Sequence, residues 1–380
     1  KDGVGGEEII AWETVKRLAA RGHTLYITAP EIDLKNKYDN IITFPLERCS
    51  YKNLKSTMKK RFRAFKYGRK SRRLIKSLFN KYEIDVMHHL LPSYPGFFST
   101  VSDLDIPFIY GPATVKYSRK FEEEVHPNFI SRIYDTIKKR KWETSLENAD
   151  MVLVEVDEAK KWIPQKLVTN VKTLYSGVDA DFFNAEYTTG ENGPLTVLYL
   201  TAIRKNKGAQ VLLKAAERVL QNRDDVRFLF VGPIHDEQYF NALVDELGIG
   251  KAVEFTGPIP HDHIINYYKK ADIYCLPTLQ DNAPLSMLEA MACSRPIIAS
   301  RIMGIPEVLV DGENGLLFEV GNHEELADAL NKLLSDKTLR ETIARSNRDK
   351  IERKFSWERH IDQLEEYYRK TIESYNSRKK

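Results

Sequence analysis

Cysteine is scarce: Cys49, Cys275 and Cys293 are the three in 380 residues, and they lie far apart. That number and spacing build neither a disulfide framework nor a cysteine metal knot, and they suit a reducing cytoplasm. Long apolar runs are missing too. No stretch of about 18 apolar residues is present, so no segment reads as a membrane-spanning helix. The dinucleotide fingerprint G-x-G-x-x-G is also absent. The opening "GVGGEE" supplies Gly3, Gly5 and Gly6 but has Glu8 where the last glycine would stand. A glycine loop that opens a helix normally follows a buried strand, and none precedes this one. The first strand of the sheet is therefore expected to be missing, and no signal peptide can be read.

What is present describes a globular α/β chain. Hydrophobic residues make up 42% and charged residues 29%, which excludes a disordered polypeptide. The length suits two domains of roughly 150–200 residues. Short apolar runs alternate with helix patterns: "TLYITA", "IDVMHHL", "PFIYG", "MVLVEV" and "VKTLYSG" in the first half, then "TVLYL", "VRFLFVG", "AVEFTG", "IYCLP" and "PIIAS". This rhythm predicts parallel sheets wrapped by helices, with helices expected at 208–221, 236–248, 261–270 and 284–293. The polar stretch Asp179 to Pro194 reads as a linker. The expected organisation is a first domain at 1–180, a second at 194–355, and a helix at 356–380 packing back on the first domain. In such folds ligands sit at the carboxyl ends of strands, in a cleft.

The stretch "LQDNAPLSMLEAMACSRPIIAS" places two acids, Asp281 and Glu289, around a helix start. Pro284, with fixed φ and no N–H, suits the first helical position. The helix would then aim its free amides and positive dipole end at the cleft, a seat for phosphate. Asp281 would lie just outside it, beside a sugar on that phosphate. Glu289, about 7 Å further along the axis, could accept hydrogen bonds from two adjacent hydroxyls. Taken alone, the pair also reads as a helix cap and a solvated glutamate.

The surroundings resemble the nucleotide-sugar domain of GT-B retaining glycosyltransferases, family 4 (glycosyl transferases group 1). The similarity is close over Thr196–Leu334. It extends more loosely through "GVGGEE", "DVMHHLLPSYPGFF", "PFIYGPA", "LYSGVDADFF" and "KFSWERH". It implies two Rossmann-like doubly wound domains facing a central cleft. It also implies transfer of a sugar from a nucleotide-diphosphate sugar to a hydroxyl with retention, without metal or other cofactor. The departing phosphate would help to deprotonate the acceptor on the face it leaves.

The resemblance also assigns roles. Lys207 in "LTAIRKNKG" matches the lysine on the diphosphate, whereas the family's arginine falls at Ala202, leaving Arg204 as the substitute. The paired-acid motif usually begins with glutamate and here begins with Asp281. The backbone of Gly5, Gly6, Asn282, Ala283, Pro284 and Leu285 would line the donor, with Glu289 on the ribose. Gly304 and Glu307 in "GIPE" match positions near the sugar, though Glu307 could equally cap the following helix. One of His88 and His89 would stand at the reacting carbon. The "DAD" at Asp179–Asp181 matches a connecting segment and is not read as a metal motif. A non-catalytic nucleotide-sugar binder and a nucleotide-sugar epimerase fit the same motifs.

The segment 52–76 holds twelve Lys or Arg and no acid, with Phe62, Phe65 and Tyr67 interleaved. A solvated helical face is the simplest reading. No nucleic-acid motif accompanies it. Basic residues mixed with aromatics also suit a helix on anionic lipid. With the transferase reading, that predicts a lipid-linked or carbohydrate acceptor and a cytoplasmic protein peripheral to the membrane's cytoplasmic face.

Overall fold

The computed structural model describes residues 6–29, 38–46, 57–90, 98–113, 129–166, 168, 170–187 and 193–380. Gly5 and residues 52–56 of the basic segment lie outside them, as do 188–192 of the expected linker. None of the described helices is long and apolar enough to cross a membrane.

The first half carries α1 (Gly6–Ala20), β1 (Leu25–Ala29), β2 (Ile41–Pro45), α2 (Thr57–Phe79), β3 (Met87–His89), β4 (Phe108–Ala113), α3 (Phe129–Glu147), β5 (Met151–Val154) and β6 (Val171–Thr173). Strands β1 and β2 pair in parallel, and β3, β4, β5 and β6 form a parallel sheet in that order. The second half carries β7 (Leu195–Leu200), α4 (Ala209–Leu220), β8 (Val226–Val231), α5 (Glu237–Leu247), β9 (Val253–Gly257), α6 (Ile265–Lys270), β10 (Ile273–Leu276) and α7 (Leu285–Ala292). It continues with β11 (Ile297–Ser300), α8 (Ile305–Val308), β12 (Leu316–Phe318), α9 (His323–Ser335), α10 (Lys337–Lys350) and α11 (Trp357–Lys379).

The second sheet runs β12-β11-β10-β7-β8-β9, all parallel. Helices cover both faces, so the central strands are largely apolar: Val197, Leu198 and Tyr199 of β7 are fully buried. Reversed, this order is 3-2-1-4-5-6, the doubly wound arrangement whose winding changes direction between β7 and β10. Such a switch point opens a crevice at the carboxyl ends of the two strands. The fold is therefore the expected pair of α/β domains facing a central cleft.

Two crossings join the halves, and they touch: Val178 N–H donates to Phe355 O at 2.8 Å, and Val178 bridges Ser356. The first part of the expected linker, 180–186, is anchored to the second half. Phe183 and Ala185 are buried in its core. Arg348 donates to Ala180 O, Phe183 O and Ala292 O, while the fully buried Arg295 donates to Glu186 O at 2.5 Å. Asp179, the first acid of "DAD", accepts from Phe182 N–H at 3.0 Å and from Arg17 at 3.4 Å.

Helix α11 returns to the first half. Its Ile361, Leu364 and Tyr367 share a core with Leu18 of α1, Ile109 of β4, and Met151 and Leu153 of β5. Ser356 caps it by accepting from Arg359 N–H.

Candidate active site

The loops that leave β7 and β10 lie side by side at the switch point and are locked together. Leu279 N–H donates to Asn206 O at 3.0 Å. Gly208, at φ +76°, lets the first loop turn into α4 flush against the second: a Cβ there would stand 1.7 Å from Pro277 O. From below, the hydroxyl of the buried Tyr199 reaches Ala202 O at 3.0 Å and Lys207 O at 3.3 Å, holding both ends of the basic loop. The side chains of Lys207 and Asp281 meet across this junction as an ion pair. Asp281 also accepts from Asn282 N–H at 3.1 Å.

Helix α7 begins one residue later than expected. Pro284 is its N-cap, with extended backbone (ψ 132°), and Leu285 is the first helical residue. Proline lacks an N–H wherever it stands, so the shift leaves the amino end intact. Met287 N–H already donates to Pro284 O at 3.0 Å. The amides of Leu285 and Ser286 have no acceptor within the helix, by its geometry. Two polar atoms of these loops, Arg204 Nε and Asn282 Oδ1, are buried without a hydrogen-bond partner. The unmet donors, Arg204 Nε–H and the first amides of α7, favour an oxygen-rich anion, whereas the unmet Asn282 oxygen favours a hydroxyl.

Glu289 sits a turn and a half inside α7, only 7% exposed. Its Oε2 accepts from Tyr268 OH at 2.8 Å. Burial raises its pKa to about 7, and the tyrosine hydrogen bond opposes that rise. Glu289 is therefore not the solvated glutamate of the simpler reading. Tyr268 on α6 was not singled out in the sequence, because its link to Glu289 spans 21 residues and two elements.

Arg204 stands one step away, its Nη2 3.4 Å from Nε2 of His235. The pairing follows from a short bridge between the loops after β7 and β8: Ile203 N–H donates to Pro233 O, and His235 N–H to Ile203 O, each at 2.9 Å. His235 also escaped the sequence reading. The signal was available in "VGPIHD", a glycine followed by polar residues at a strand's carboxyl end.

Other expected positions converge from further away. Gly304 N–H donates to Asn282 O at 3.1 Å, which ties "GIPE" to the loop after β10. A Cβ on Gly6 would lie 3.6 Å from Leu285 Cδ1, so the glycine-rich start of α1 meets α7. Ala283 packs against the core of the first half.

Two positions have partners that the sequence does not foretell. Glu307 turns its carboxylate to the first domain: Oε2 accepts from Asp157 N–H and Oε1 from Glu158 N–H, both at 2.7 Å. His88 uses both ring nitrogens inside the protein. Nε2–H donates to Gly111 O at 2.6 Å, and Nδ1 accepts from Tyr368 OH at 2.8 Å. Burial lowers its pKa to about 4, so the ring is neutral and this tautomer is fixed. His89 lies on the other face of β3, stacked on Tyr110 at 5.1 Å.

Two family models tile the chain. Glycosyltransferase Family 4 matches residues 4–182, and Glycosyl transferases group 1 matches 183–350. The chain belongs to this glycosyltransferase family, with the GT-B fold. It is similar to the D-inositol 3-phosphate glycosyltransferase of Corynebacterium urealyticum, 29% identical over 59% of this chain and 57% of that protein. That match thus spans under two thirds of the relative's length. The enzyme of the same name from Corynebacterium aurimucosum is 25% identical over 96% of this chain and 90% of its own. In three dimensions the chain resembles sucrose-phosphate synthase from Thermosynechococcus elongatus, with a TM-score of 0.75, 20% identity, and coverage of 98% and 94%. It also resembles Alr3699/HepE of Anabaena in complex with UDP, with a TM-score of 0.68, 15% identity, and 97% of each chain covered.

Proposed function

We propose that this protein moves a glycosyl group from a nucleoside diphosphate sugar to an acceptor hydroxyl with retention at the anomeric carbon. The observation that carries the reading is the meeting of Lys207, Asp281 and the amino end of α7 at the switch point between β7 and β10. Breaking the bond from sugar to phosphate leaves negative charge on the diphosphate. Fixed cations and amides stabilise that charge without reorganising. Lys207 and the first amides of α7 take this role, with Arg204 beside them. A ribose supplies the diol that Glu289 would accept from, and Asp281 faces the sugar. His89 is assigned to the reacting centre because His88 is committed to Gly111 and Tyr368. The acceptor oxygen bonds to the anomeric carbon on the face the diphosphate leaves, and its proton passes to the departing phosphate oxygen. No step in this scheme calls on a metal or other cofactor. The UDP complex of the Anabaena neighbour is consistent with a nucleotide at such a site.

In this reading residues 1–180 take the acceptor, 194–355 hold the donor, and 356–380 tie the two together. The test is a melting-temperature panel of UDP-, GDP- and ADP-sugars. We expect a rise with one base, about 2.7 kcal/mol of stabilisation at a hundredfold excess over Kd, and its loss in Lys207→Ala. No rise with any nucleotide would sink the donor site.

The basic, acid-free stretch that α2 shares with the residues before it supports a further part of this reading, an acceptor carried on a lipid or a glycan at the cytoplasmic membrane face. Sedimentation with phosphatidylserine-containing vesicles should retain the protein, and phosphatidylcholine alone should not. Added salt should weaken retention, since the attraction is screened. Equal behaviour on both lipids would remove the membrane and leave the donor reading untouched.

A further inference from the structure

We infer that Glu307 is a positioning residue: a hook through which the donor domain grips the rim of the first domain and holds the donor loop in place. The inference rests on the donor site proposed above. The rim is the short 3-10 helix Asp157–Trp162, which follows β5. Its own N-cap, Val156, offers no side-chain acceptor. Glu307 supplies one from α8, on the other domain. Its two oxygens take the first two amides, those of Asp157 and Glu158, at 2.7 Å each. Tyr175, just after β6, donates its hydroxyl to Oε2 at 2.8 Å as a third bond. An anionic acceptor on the amino end of a helix is the favourable sign for that pairing.

The same short step of chain also contacts the donor loop. Gly304, three residues before Glu307, donates to Asn282 O at 3.1 Å. Gly304 is also pressed on the first domain, since a Cβ there would stand 2.2 Å from Val156 Cγ1. One turn of chain therefore links Val156, Asp157 and Glu158 on one side to Asn282, the neighbour of Asp281, on the other. Opening the cleft must break the Glu307 bonds, and closing it seats Asn282.

The experiment compares wild type with Glu307→Ala, Glu307→Gln and Tyr175→Phe by hydrogen exchange, small-angle scattering and donor-induced melting shift. In Glu307→Ala, the amides of Asp157 and Glu158 should exchange at least about tenfold faster, the scale of losing one hydrogen bond to a charged group. The radius of gyration should increase and the donor-induced shift should shrink. Glu307→Gln, which keeps one acceptor oxygen, should fall between, and Tyr175→Phe should move each readout in the same direction by less. Unchanged exchange would overturn the hook. Faster exchange with unchanged scattering and donor shift would reduce Glu307 to a local cap and also overturn the inference. Exchange and scattering need no donor, so they judge the hook even if no nucleotide binds to the wild type. If Glu307→Ala fails to fold, Glu307→Gln and Tyr175→Phe decide.

Discussion

Gly208→Ala is expected to destabilise the protein by roughly 2–5 kcal/mol, or to prevent its recovery in folded form. Two independent penalties add. Left-handed backbone costs a residue with a Cβ about 1–2 kcal/mol, and Gly208 sits at φ +76°. The added carbon would also lie 1.7 Å from Pro277 O and 2.6 Å from Pro277 C, so the backbone after β10 has to move. Overpacking of that kind costs roughly 1–3 kcal/mol or more. Against a total stability of about 5–15 kcal/mol the loss is large. Gly248 provides the control: it has φ +66° but nothing within 4 Å of its would-be Cβ. Gly248→Ala should lose only the backbone part, about 1–2 kcal/mol. Urea unfolding at matched m-values measures both. Equal losses at the two sites would mean that the loops after β7 and β10 do not press together as described.

Acid should unfold the protein through two histidines. Burial lowers the pKa of both His88 and His360 to about 4. His360 donates from Nδ1 to Tyr175 O at 2.7 Å, and its Nε2 lies 3.4 Å from Thr14 Oγ1. The unfolded chain holds histidine near 6.5. Between about pH 6.5 and 4 the unfolded state therefore binds more protons than the folded one, and stability falls as pH falls. Each histidine contributes up to about 3 kcal/mol across that window. Glu289 works the other way. Its pKa is raised to about 7 against an ordinary value of 4.5, so the folded state binds the extra proton between those limits. Stability gained there as pH falls, up to about 3 kcal/mol, offsets roughly one histidine. Glu289→Gln should thus melt higher than wild type at pH 8 and equal it near pH 5, which makes its acid loss steeper. Parallel pH profiles for wild type and variant would show that Glu289 is not held as described.

Much of the junction between the loops after β7 and β10 was legible because its signals are local. Lys207, Gly208, Asp281 and Pro284 occupy two short loops, and the apolar strands before them announce where those loops emerge. The single-residue error at Pro284 arose because a proline satisfies the amino end equally well as cap or as first helical residue. Between His88 and His89 the strand period says only that the two point to opposite faces. Which face is inward depends on Tyr368, which is 280 residues away. Glu307 was misleading for the same reason. Its neighbours in sequence belong to the donor motif, whereas its hydrogen-bond partners belong to the other domain. Strand β2 lay in "IITFP", too short and too irregularly patterned to stand out.

Helix α11 has a consequence for how the molecule is made. A ribosome completes β4, β5 and β6 early, yet Ile361, Leu364 and Tyr367, which cover Ile109, Met151 and Leu153, appear about 190 residues after β6. At about 5–20 residues per second that is a wait of roughly 10–40 seconds. During it, the nascent first half carries an apolar face that α11 does not yet cover, while the second half folds behind it. The half synthesised first is thus the last to be finished.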